Sequence, residues 1–231
     1  MDTGIAGVAG RCGVLMESKR KYSFILCLII SAIVPLLICS KCSPMYPFND
    51  WYDINMFFTL GKGMVQGAVP YRDLLEQKGP YVFLFSTIAY LFTNTSFLGY
   101  FILECIAMIA MLYFAVRTIE LYVEFSQYWL LPILVATITC SRSFTHGGSA
   151  EELLLGIFAY ALYSALRAIK SEEKIVANRT ILINGVCAGI ILWSKFNMLG
   201  IYAVWVAIFT GIYLYKKRFK ETQGRLCWCS G

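Results

Sequence analysis

The chain has 231 residues, of which 58% are hydrophobic and 15% charged, with a formal net charge of +6. A soluble domain is about 45–50% apolar and about 25% charged, so an ordinary soluble globular protein is excluded. The apolar residues come in long runs, and an all-α, polytopic transmembrane helical bundle of about 6–7 spans is expected.

The first residues, Met1 to Leu15, are rich in Gly and Ala. Met16-Glu17-Ser18-Lys19 reads as a more natural start, so the stretch before it is expected to be an upstream extension. Lys19, Arg20 and Lys21 then precede the run from Tyr22 to Ser40. That run is long enough to span, and Lys41-Cys42-Ser43-Pro44 after it lacks a small-x-small cleavage site, so it reads as a retained signal anchor. Further basic residues cluster at Arg167, Lys170, Lys174 and Arg179, and again at Lys216, Lys217, Arg218 and Lys220. By the positive-inside rule these are cytoplasmic anchors, with membrane lipids rather than nucleic acid as their partner. The chain divides into a cytoplasmic segment (1–21), a transmembrane module (22–215) and a basic tail (216–231).

The loop 41–80 carries more charge than a connector needs. Within it Trp51–Met64 has a helical pattern, with Trp51, Ile54, Phe58, Leu60 and Met64 on one face. This predicts an amphipathic juxtamembrane helix lying on the membrane surface, broken by Gly61, Gly63 and Gly67. Turns are expected at Pro70–Asp73 and Gly79-Pro80. The remaining apolar runs are Tyr81–Thr93, Phe97–Val116, Tyr128–Cys140, Leu153–Leu166, Ile181–Ser194 and Met198–Tyr215. Counting crossings from the two basic ends leaves a discrepancy of one. The favoured solution is that Tyr81–Thr93, only thirteen residues long, is re-entrant or interfacial. Loops 41–80 and 141–152 then face the same outer side.

Asp50 and Asp53 are three apart and share a helix face. A carboxylate at the membrane boundary suits a general base on a hydroxyl, or a ligand for a divalent cation. Asn49 or Asp50 also fits a helix cap. Arg72 and Lys78 suit a phosphate group, Arg through paired hydrogen bonds and Lys as a point charge. The second constellation is Ser143-Phe144-Thr145-His146-Gly147-Gly148-Ser149-Ala150-Glu151-Glu152. Ser149 fits a cap, and two adjacent acids, Glu151 and Glu152, call for a partner such as a cation or an acceptor sugar. Lys195 stands between two apolar runs and suits a second phosphate contact. Glu104 lies inside an apolar run and must face the bundle interior. The nine cysteines show no zinc spacing, and those in apolar runs are expected to behave as small hydrophobes.

The order Asp53, Phe57, Met64, Gly67, Pro70-Tyr71-Arg72-Asp73 and Lys78-Gly79-Pro80, followed by GGSAEE, resembles the GT-C superfamily of integral-membrane glycosyltransferases. That group contains the protein O-mannosyltransferases and aminoarabinose transferases. The resemblance runs from about Lys19 to Lys220. It implies inverting transfer of a sugar from a polyprenyl-phosphate donor to a lipid, polymer or protein acceptor on the outer face of a bacterial plasma membrane. It also implies Asp53 as base or acceptor-orienting acid, Lys78 and Arg72 at the donor phosphate, and Glu151 or Glu152 assisting acceptor or cation. A divalent cation is used by some relatives and not by others. Family members carry roughly a dozen spans, and this chain ends after about seven, so an N-terminal fragment lacking much of the acceptor and lipid site, and inactive through truncation, is expected. The alternative reading is a multi-pass transporter or flippase, which places ionisable residues near mid-membrane and often shows repeats.

Overall fold

A computed structural model describes residues 22–141, 144, 146–170, 178–211 and 213–214. The segment 1–21 with its basic cluster and expected extension, Ser143, Lys174 and the tail 216–231 with Cys227 and Cys229 lie outside the described residues.

Every described element is helical, apart from an isolated bridge between Pro70 and Leu74. In chain order the helices are α1 Tyr22–Cys39, α2 Tyr52–Val65, α3 Pro80–Phe92, α4 Leu98–Ile119, α5 Leu130–Thr139, α6 Ala150–Leu153, α7 Leu155–Lys170, α8 Asn178–Leu192 and α9 Phe196–Gly211, which opens with a 3-10 turn at Phe196–Leu199. Two of these, α1 (18 residues) and α4 (22 residues), are long and apolar enough to cross a membrane. At 1.5 Å per residue α4 is about 33 Å long. Of the others, α5 has only 10 residues where its apolar run has thirteen, while α3 (13), α7 (16) and α8 (15) are as long as their runs or longer.

Side-chain contacts fix the direction of each helix. Cys27 Sγ lies 3.6 Å from the carbonyl of Tyr128, and twelve residues further along both chains Cys39 Sγ lies 3.7 Å from Cys140 Sγ. Thus α1 and the segment 128–140 containing α5 run parallel. Ser40 meets Glu104 near the start of α4, while the Phe24 ring lies 6.5 Å from that of Tyr113 further along it, so α1 and α4 are antiparallel. Gly156 packs on Ala107 and Ala110, and Phe114 on Tyr160 and Tyr163, so α4 and α7 run together. Ser164 bonds Asn184 halfway along α8, which returns antiparallel to α7. At one end of the helices sit the loops 40–51, 93–97, 146–152 and 193–197. At the other, the Lys170 ammonium lies 5.3 Å from the Tyr122 ring.

The pair α2–α3 departs from this alternation. Gly61 of α2 presses on the Ser86 carbonyl of α3, and Phe58 meets both Tyr90 and Phe97. Helix α3 starts beside Trp193 and ends where α4 begins, with Gly99 against the Ala89 carbonyl. Both of its ends therefore belong to the same end of the bundle.

Two expectations are corrected here. Gly61 and Gly63 do not break the helix: both lie inside α2, and Gly61 is there because a side chain would overlap the Ser86 backbone. Only Gly67, with φ of 90°, terminates it. Nor is α2 merely a surface helix. Ile54, Phe57, Leu60 and Gly61 are buried in the main core with Val82, Phe83 and Tyr100, so its packed face centres on Phe57 rather than Phe58.

The core unites α1 to α6 through residues such as Leu36, Ile54, Leu112 and Val135. A smaller cluster around Leu154, Ala161, Ile191 and Tyr202 joins α7 to α9. The outward faces of α1 (Leu26, Ile30, Val34, Ile38) and α9 (Val204, Val206, Ile208) are exposed and apolar. Exposed apolar surface of this extent marks contact with lipid or with another apolar surface.

Candidate functional site

The site lies at the loop-rich end, and backbone hydrogen bonding assembles it. Gly79 N–H donates to Ser194 O at 3.1 Å, and Tyr81 N–H to Trp193 O at 3.0 Å. A side chain at Gly79 would overlap the Trp193 carbonyl, so only glycine lets these strands of loop meet. Pro80 then starts α3 at a position where its missing N–H costs nothing. The result is a groove of about 900 Å³ lined by Tyr52, Asp53, Glu76, Lys78, Lys195 and Phe196, among others. A volume of this size accommodates a small-molecule ligand.

Four of the expected residues meet here. Lys78 Nζ lies 3.0 Å from Asp53 Oδ2 and 4.2 Å from the centre of the Phe57 ring, with 13% of its side chain exposed against 36% for Asp53. Lys195 pairs with Glu151. Both groove cations are thus held by a carboxylate, one from α2 and one from α6. The groove has polar walls at Glu76, Lys78 and Lys195, and exposed apolar side chains at Tyr52, Leu75 and Phe196. The lining thus carries two cations and two carboxylates, Asp53 and Glu76, beside exposed apolar side chains.

The other expected residues stand elsewhere. Asp50 is not a helix cap. Trp51 occupies the cap position of α2, and its N–H is met by Asn49 Oδ1 at 3.0 Å. Asp50 instead pairs with Lys41 at 2.5 Å, and the hydrogen bond from that ammonium holds its carboxyl below the usual range. Arg72 is engaged by Asp73 through paired bonds of 2.9 and 2.8 Å, with Asp73 also accepting from Val69 N–H. The Arg72 bonds, then the Val69 bond, hold the Asp73 carboxyl low. This pair braces the turn in which Tyr71 adopts φ of 63°.

Glu152 faces inward. Ser149 caps α6 as expected, its hydroxyl accepting from Glu152 N–H at 3.1 Å while Glu152 accepts from Ser149 N–H. Glu152 thus holds the helix start, and Glu151 pairs with Lys195. Glu152 precedes α7, and burial, then the nearby Glu104 carboxyl, push it up to about 9. Two buried carboxyls side by side cannot both ionise, so one holds a proton.

The sequence placed Glu104 inside the bundle, and it is 3% exposed. Its partners could not be read from sequence. Ser40 donates to it at 2.8 Å, and Gly148 N–H donates to its other oxygen. Gly147 and Gly148 both have left-handed φ (71° and 72°), which is how the backbone amide turns inward. Asn49, named in the sequence only as a cap candidate, has a second role there. Its side-chain amide donates to His146 O at 2.5 Å and ties the first loop to the second, while Trp51 stacks on the His146 ring at 5.7 Å. The polar Ser40, Asn49 and Ser149 are all buried.

Among the described residues no group of three or more His, Cys, Asp and Glu side chains is arranged to hold a metal ion. Comparison with protein-family profiles, characterised proteins and solved structures finds no match.

Proposed function

We propose that the chain is an integral-membrane protein whose groove binds a polyprenyl-phosphate sugar, and that it transfers the sugar to an acceptor hydroxyl in the manner of a GT-C glycosyltransferase. The observation that carries this reading is the pairing of Lys78 with Asp53, beside Lys195 with Glu151, on a groove that is polar on one side and apolar on the other. In this proposal α1, α4, α5, α7, α8 and α9 cross the membrane, and α2–α3 lies at its outer boundary. The groove then opens on the outer face of a bacterial-type plasma membrane. Six crossings with α3 set aside also remove the discrepancy in the charge count.

The donor phosphate takes over Lys78 and Lys195, since a phosphate with two cations binds more strongly than one with either alone. Asp53, released from Lys78, accepts the proton of the acceptor hydroxyl. The acceptor oxygen bonds to the anomeric carbon as the bond from that carbon to the phosphate oxygen breaks. Polyprenyl phosphate leaves with the electron pair, held by the lysines. Arg72 and Glu152 take no part, because each is occupied in holding a loop or helix start.

The test uses membranes containing the full chain and a polyprenyl-phosphate sugar labelled in the sugar. Label is expected in a product distinct from the donor, and Asp53→Asn is expected to abolish its formation. Unchanged transfer in that variant removes the proposed base. Ion-coupled uptake of substrate into proteoliposomes, without transfer, would instead support the transporter reading.

A further inference from the structure

Cys39 closes α1 and Cys140 follows α5, and their sulfurs lie 3.7 Å apart although 101 residues separate them in the chain. A disulfide bond is about 2.05 Å long, so the two sulfurs need to close by roughly 1.65 Å to bond. The two helices run parallel, with Cys27 beside Tyr128 in the same register, so the packing holds this approach along its whole length. Cys140 is exposed and Cys39 half-buried. The third cysteine of this region, Cys42, is buried, and its sulfur is already an acceptor for the Asn49 amide at 3.6 Å. Burial, then Glu104 and Glu152, push its thiol well up, which disfavours the thiolate.

We propose that Cys39 and Cys140 form an intrachain disulfide that ties the end of α1 to the segment leading into the His146–Glu152 turn. The bond closes a long loop and locks the second half of the site to the first; such a crosslink restricts the unfolded chain more the longer the loop it closes. It rests on the proposed topology only in requiring that this end of the bundle face an oxidising compartment.

The chemistry balances through a disulfide-bearing thiol oxidoreductase. The Cys140 thiolate attacks one sulfur of the donor disulfide and displaces the other as a thiolate, leaving a mixed disulfide. The Cys39 thiolate then attacks the Cys140 sulfur and displaces the second donor thiolate. Two electrons pass from the cysteines to the donor, and the two thiol protons end on the donor dithiol.

The experiment is alkylation of free thiols in native membranes, followed by non-reducing digestion and mass spectrometry of the full chain. A linked peptide joining Cys39 and Cys140, lighter than the two thiol peptides by two hydrogens and lost on reduction, is the expected result. In Cys42→Ser the same link is expected, and in Cys140→Ser the Cys39 thiol is expected to become alkylatable. Alkylation of both Cys39 and Cys140 in untreated membranes overturns the proposal, as does a link from Cys39 to Cys42. The topology is tested separately, by an impermeant thiol reagent applied to Met45→Cys, so a failure of the disulfide and a failure of the topology are told apart.

Discussion

Gly79 donates its amide hydrogen to the Ser194 carbonyl at 3.1 Å, and this bond brings Lys78 and Lys195 to one groove although they are 117 positions apart in the chain. The close approach has no room for a Cβ. Gly79→Ala is therefore expected to separate the two loops at a cost of about 1–3 kcal/mol, the range of an overpacked contact. A lowered thermal midpoint in detergent together with lost donor binding is the outcome to look for. Because φ at Gly79 is −72°, backbone strain makes no contribution.

Asp53 and Lys78 should separate kinetically. Removing a general base costs about 10²–10⁴ in rate, so Asp53→Asn should lower kcat with donor KM little changed. Lys78→Met removes a charge-assisted contact of about 1.5–3 kcal/mol, equivalent to roughly 10- to 150-fold in affinity, and should raise donor KM, with a smaller loss in kcat because Lys78 also holds the leaving phosphate. Global stability should move by less than about 1 kcal/mol in either variant, because the carboxylate of the pair is partly exposed. Equal losses in kcat for both variants would contradict the separate roles.

Glu104 accepts hydrogen bonds from Ser40 and from the Gly148 amide inside the bundle. Glu104→Ala leaves both donors buried without an acceptor, at a cost of about 1–3 kcal/mol for each group. Glu104→Gln retains an oxygen for Gly148 and should lose far less. Thermal midpoints of the two variants decide the point, and an equal loss would mean that the charge rather than the hydrogen bonding matters.

Glu152 makes stability depend on pH with a defined sign. Its carboxyl titrates near 9 when folded and at the ordinary value of 4.5 when unfolded. Between those values the folded chain binds the extra proton, so stability is full below 4.5 and declines as pH rises towards 9. The thermal midpoint should fall across this interval, and Glu152→Gln should flatten the fall. A midpoint that rises over the same range in the unmodified chain would contradict the buried carboxyl pair.

The alternation of helices predicts labelling from opposite sides. Met45 and Glu124 are exposed and lie at opposite ends of the bundle. An impermeant thiol reagent added to intact cells should label Met45→Cys and spare Glu124→Cys. Labelling of both from outside would contradict the crossing of α4.

The apolar runs made a helical chain the expected outcome, because runs of about ten residues and more are longer than strands usually are. Local chemistry also fixed the Ser149 cap, since a Ser with Glu three residues on satisfies two helix-end amides at once. Asp53, Lys78, Glu151 and Lys195 stood out because charge at an apolar boundary calls for a partner. Their pairing did not follow from the sequence: Lys78 takes a partner 25 residues earlier and Lys195 one 44 residues earlier. Gly61 and Gly79 read as breakers because local propensity is all a sequence window contains. The tertiary contacts with Ser86 and Trp193 turned them into sites of close packing. In the same way, Asn49, Ser40 and the adjacent sulfurs of Cys39 and Cys140 gained their roles only when parallel α1 and α5 brought two distant loops together. The sequence by itself determined the elements and the charges at their ends, because these depend on neighbours along the chain. Which charges meet, and around which groove, was decided by helix packing, because that depends on residues the chain keeps far apart.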